Sequence, residues 1–91
     1  MAIIGDFTKN GVTLKSAYCV IGDLNGSIGG GSWSFNVNVW ASKEEYEQRE
    51  NGGSPFASIP LALDSESIPT ISELENAAIE SGIFHGFDIV N

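Results

Sequence analysis

The chain has 91 residues, enough for one small domain and too few for a multi-domain enzyme. Its hydrophobic share of 42% supports a core, though a thin one. Twelve Asp and Glu against four Lys and Arg give a net charge of −8, which repels phosphate backbones and anionic lipid surfaces; nucleic-acid and membrane partners are therefore not expected.

The opening residues, Met1 to Asp6, contain no basic segment followed by a long apolar run, so no signal peptide is expected. No stretch approaches the roughly 18 apolar residues of a membrane span. The expectation is a chain made and kept in a cytosol, or assembled from one into something larger. Ile3, Ile4 and Phe7 form a short lead-in before Lys9-Asn10-Gly11, where Asn-Gly supplies positive φ at little cost and lets two strands meet. Residues 12–21 are rich in β-branched and aromatic side chains, and Val12, Leu14, Tyr18 and Val20 fall at even spacing, which predicts a strand. Within it lies Cys19. As the single cysteine it excludes an intrachain disulfide and any multi-cysteine metal site. In the apolar run 17–21 it is expected to serve as core bulk with a raised pKa, not as a nucleophile.

Residues 22–32 hold five glycines and almost no side chain able to pack, which predicts a flexible loop. The alternation of Trp33-Ser34-Phe35-Asn36-Val37-Asn38-Val39 then predicts a strand with one covered and one wet face. Trp40 falls on the wet face, where a neighbouring loop half covers it. Ser42 followed by Glu45 is a capping-box pattern opening a short polar helix to Arg49 or Glu50, ended by Asn51-Gly52-Gly53. With Tyr46 as its only apolar residue, that helix is expected to lie as a surface flap. Ile59, Leu61 and Leu63 alternate through a second extended segment, and Pro60 assigns it to a sheet edge or a bulge.

Thr70 with Glu73, or Ser72 with Glu75, starts a helix that runs to Ser81. Ile71, Leu74, Ala77 and Ala78 make its apolar stripe, and Gly82 sits where a left-handed cap belongs. The tail, residues 83–91, is too apolar for a disordered end and is expected to pair as a last strand, on its own sheet or on a neighbouring molecule. These elements predict an α+β, β-rich fold: a small antiparallel sheet with one or two short helices at its edge or on one face, in a single domain spanning residues 1–91.

Chemistry-bearing patterns are sparse. His85 is the only histidine, so any histidine dyad or triad must use it. The glutamates at 44–50 and 73–80 read as solvated helix faces. Asp23-x-Asn25-x-Ser27 matches the first ligands of a calcium loop, but Ile28 and Ser34 stand where that pattern needs Gly and Glu. The glycines at 26 and 29–31 lack the following Lys-Ser or Lys-Thr pair and the helix of a phosphate cradle. No catalytic residue, metal site or cofactor is therefore expected. What remains is adhesive surface: nine aromatics (two Trp, two Tyr, five Phe) compete for one thin core. The interaction candidates are Trp33, Trp40, Phe56, Phe84 and Phe87, with Ile89 in the tail.

From residue 11 to about 80 the order of features resembles a family of small virion-associated structural proteins of tailed bacteriophages. The resemblance lies in Tyr18 near Val20 and Ile21, a variable turn, and an alternating strand running into Ala41-Ser42-Lys43-Glu44-Glu45-Tyr46. It continues through Gly52-Gly53-Ser54-Pro55-Phe56 to a second apolar strand and an acidic helix. The resemblance implies a non-enzymatic part of a phage particle, in the tail, baseplate, fibre or capsid decoration, assembled in the host cytoplasm with other virion proteins and with copies of itself in a symmetric array. In that role removal of residues 83–91 is expected to weaken assembly more than folding. The alternatives are a free acidic module or inhibitor that occupies a basic surface of a host protein, and a small enzyme built on His85 or a carboxylate pair.

Overall fold

The computed structural model describes residues 2–27 and 29–90. Met1, Ile28 and Asn91, at the expected lead-in, loop and tail, lie outside the described residues. Five strands, β1 (Ala2–Lys9), β2 (Val12–Gly26), β3 (Ser32–Trp40), β4 (Ala57–Asp64) and β5 (Asp88–Val90), form one antiparallel sheet in the order β4-β3-β2-β1-β5. Helix α1 (Lys43–Glu47) with a 3₁₀ turn at Arg49–Asn51 links β3 to β4, and α2 (Ile71–Glu80) links β4 to β5. This is the α+β sheet-and-helix architecture that the sequence predicts.

The alternation in β3 sets the two faces. Trp33, Phe35, Val37 and Val39 are all buried, and they align across the sheet with Leu63, Leu61, Ile59 and Ala57 of β4. Ala17 and Cys19 of β2 and Ile3 and Phe7 of β1 extend the core, which is closed by Leu74 and Ala78 of α2 and by Phe84 and Phe87. Helix α2 begins at the first of its two candidate caps. Thr70 Oγ1 accepts the Glu73 amide at 3.2 Å, and Glu73 Oε1 accepts the Thr70 amide at 3.3 Å, so orphan donors of the first turn are satisfied reciprocally. Ile71, predicted as part of the apolar stripe, is instead exposed, while Glu75 is buried.

Three further expectations are corrected. The lead-in is a full strand lying between β2 and β5, since Ile3 and Phe7 face the core while Asn10 and Gly11, both at positive φ, turn the chain into β2. Residues 22–26 are strand, not loop. Gly22 and Gly26 serve close approach: a Cβ at Gly26 would sit 2.5 Å from the Trp33 ring, and one at Gly22 would sit 3.0 Å from Asn38 Nδ2. Finally, Trp40 is buried on the outer face. Tyr46 of α1 lies against it edge-on at 5.6 Å between ring centroids, with Tyr18 at 5.2 Å on Tyr46 and the Arg49 guanidinium 4.1 Å from the Tyr46 centroid. The short helix is thus a flap, as its polarity predicts, but its one aromatic packs against Trp40, which is buried.

Candidate interaction surface

Strand β2 carries two bulges. Between the Gly5–Ala17 and Phe7–Leu14 pairs, Lys15 and Ser16 oppose Asp6 alone; between Gly22–Asn36 and Asn25–Ser34, Asp23 and Leu24 oppose Phe35 alone. Each bulge places one non-glycine residue in the left-handed region, Ser16 and Asp23, both at φ 53°. The second bulge holds itself by side-chain bonds. Asn36 Nδ2 donates to Asp23 Oδ2 at 3.2 Å, and Asn25 Nδ2 donates to the Asp23 carbonyl at 3.1 Å.

This bulge and the start of α2 flank an open cleft of about 310 Å³, lined by residues 20–24 and by Pro69, Ile71 and Leu74. Its walls are apolar except for Asp23. Leu24 on one rim is 37% exposed and Ile71 on the other 49%, with Ile68 next to Pro69 at 58%. Exposed large apolar side chains gathered at one concavity are a feature of binding surfaces. Sequence reading missed this cleft because it assigned Gly22 to Leu24 to a loop and Ile71 to the core.

Of the interaction candidates, Trp33, Trp40, Phe84 and Phe87 are buried within the chain. The Trp33 indole donates Nε1–H to the Ser65 carbonyl at 3.1 Å, and Phe84 stacks on Phe7 at 5.8 Å and meets Phe87 edge-on at 5.2 Å. Phe56 and Ile89 reach the surface, at 42% and 40% exposure; Phe56 still touches Phe7 edge-on at 6.4 Å. The tail pairs on its own sheet, Ala2 with Val90, Ile3 with Ile89 and Ile4 with Asp88. Because Phe84 and Phe87 are core, removal of residues 83–91 is expected to cost folding as well as any assembly.

The remaining reactive groups fall into place around this frame. Cys19 is buried, and burial pushes its thiol pKa up to about 12, in line with a packing role. His85 is exposed in the turn before β5. Among the described residues no group of three or more His, Cys, Asp and Glu could hold a metal ion, and no helix is long and apolar enough to cross a membrane. Glu75 is fully buried, neither carboxylate oxygen has a hydrogen-bond partner among the described residues, and burial raises its pKa above 4.5. In comparisons with known proteins, no family model, no curated protein and no solved structure matches the chain.

Proposed function

We propose that the chain is a non-enzymatic structural subunit of a tailed-bacteriophage particle that acts by protein–protein assembly. The observation that carries this reading is the β5 edge of the sheet. β5 is three residues long, ends the strand order and, among the described residues, has no strand on its outer side, while Ile89 stands at the surface beside it. An open edge of this kind accepts a strand from a neighbouring subunit. The opposite edge is less suited to it, because Pro60 in β4 offers no amide. Addition to a symmetric array also supplies, by mass action, stability that a thin core lacks.

The test is quantitative mass spectrometry of purified particles of the source phage, counting this chain against the major capsid protein. Hundreds of copies support a head-decorating subunit, and a few to some tens support a tail, baseplate or fibre component. Absence from particles overturns the reading and favours a free acidic module. That second reading draws on the engagement of three of the four cations: Lys15 lies 3.4 Å from Asp6, Lys43 lies 3.9 Å from Glu47, and Arg49 packs on Tyr46. The acidic excess is left to steer a basic partner. It predicts a monomer with strongly salt-dependent binding.

A further inference from the structure

We propose that the cleft between the second β2 bulge and the start of α2 docks a segment of another protein that inserts an apolar side chain and carries lysine or arginine beside it. The apolar requirement comes from the walls. Ile21 and Leu74 form the floor side of the cleft, and Leu24 and Ile71 leave large apolar surfaces in water on its rims. Covering those rims removes apolar area from solvent at a site already concave, so an inserted side chain gains contacts that a flat surface does not offer.

The cationic requirement comes from charge. Asp23 is the one charged residue of the lining, and Glu66 and Glu73 lie in the same stretch of chain as Ile68, Pro69 and Ile71. Lys9 ends β1, Lys15 belongs to the other bulge, eight positions back along β2, and Lys43 and Arg49 belong to the α1 flap. None lines the cleft. A second copy of this chain is a poor occupant, since it brings its own −8 charge to a cleft whose one charged lining residue is Asp23. A basic segment of a different protein meets no such penalty. The bulge also fixes the geometry in advance: with Asp23 held in the left-handed region by Asn36, the Leu24 side chain is presented at the rim of the cleft without reorganisation.

This inference concerns a surface separate from the β5 edge and stands whether or not the chain is part of a particle. The test uses the isolated full chain, labelled with ¹⁵N, titrated with an acetylated six-residue peptide of alternating lysine and leucine. Expected are saturable amide shifts confined to residues 20–24 and 71–74. A glutamate–leucine peptide of the same length should produce none. Ile71→Ser, at an exposed position that leaves the fold intact, should weaken binding by about fivefold or more. Asp23→Asn keeps the left-handed backbone and the side-chain oxygen but removes the charge; it should weaken binding about threefold and flatten its salt dependence. Three results overturn the proposal: no shift at millimolar peptide, shifts spread over the acidic surface and indifferent to Ile71→Ser, or concentration-dependent shifts at the cleft with no peptide present, which assign it to a second copy.

Discussion

The Asp6 carboxylate braces the first β2 bulge by accepting the Ser16 amide on Oδ1 at 3.1 Å, while its other oxygen takes the Lys15 ammonium at 3.4 Å. Ser16 needs that brace because its φ of 53° is unfavourable for a residue with a Cβ. The Ser16 amide is the largest single cause holding the Asp6 pKa below 3.8, followed by the hydrogen bond and the charge of Lys15. Asp6→Ala is therefore expected to lower the melting temperature more than Lys15→Ala, whose ion pair is well exposed. A carboxylate with a depressed folded pKa contributes stability above its unfolded value and loses it as pH falls through the folded one. The gap in melting temperature between the parent and Asp6→Asn should accordingly be present at neutral pH and close as pH falls below 3.8 and through the lowered folded value. A gap that stays constant with pH removes the brace from the account.

Glu75 has the opposite sign. Its pKa is raised by burial, so the folded state favours the protonated acid. Its contribution is fully favourable below 4.5 and is lost as pH rises through the higher folded value. Glu75→Gln should raise the melting temperature at neutral pH by a few degrees, with the advantage vanishing near pH 4. Thermal melts of both proteins across that range decide it.

A second steric relationship ties the tail to the sheet. A Cβ on Gly5 would lie 2.6 Å from the Phe87 ring, so Gly5→Ala forces the ring off its seat. The expected cost is about 1–3 kcal/mol, and Phe84→Ala, which empties a fully buried site, should cost about 3–5 kcal/mol. Urea denaturation measures both. Deletion of residues 83–91 should give a chain without the cooperative transition of the parent.

The Cys19 thiol, at a pKa of about 12 and without access to solvent, should resist alkylation in the native protein at pH 8 and react in urea. Labelling in step with unfolding is the expected record. Fast native labelling contradicts the packing described for β2.

The Tyr46 ring holds α1 over Trp40, so Tyr46→Ala should release the flap at a cost of about 1 kcal/mol. Proteolysis near residues 43–51 and a red shift of tryptophan emission report the release. The core should stay protected from amide exchange.

Sequence reading found the elements whose signals are local. The seven-residue alternation around Phe35, the Thr70–Glu73 box and the Asn10-Gly11 turn each depend on neighbours in the chain, and each lies where it was expected. Readings that depend on distant partners failed. Gly22 and Gly26 look like loop residues until Asn38 and Trp33 are seen to need their missing side chains. Trp40 looks wet because its cover comes from another element, and Phe84 and Phe87 look sticky because the sheet they seal is made by the first strand. The cleft was invisible for the same reason: its two walls are separated by more than forty positions in the chain.

The strand order also sets a sequence of events for folding. β1 to β4 form a meander in which each strand pairs with its predecessor, so hairpins can close in the order in which the chain leaves the ribosome. β5 breaks that order by returning to β1, where Ile3 must wait for Ile89. Until the last strand arrives, Ala2, Ile3 and Ile4 stand on an unpaired edge of β1, open to pairing with a wrong neighbour.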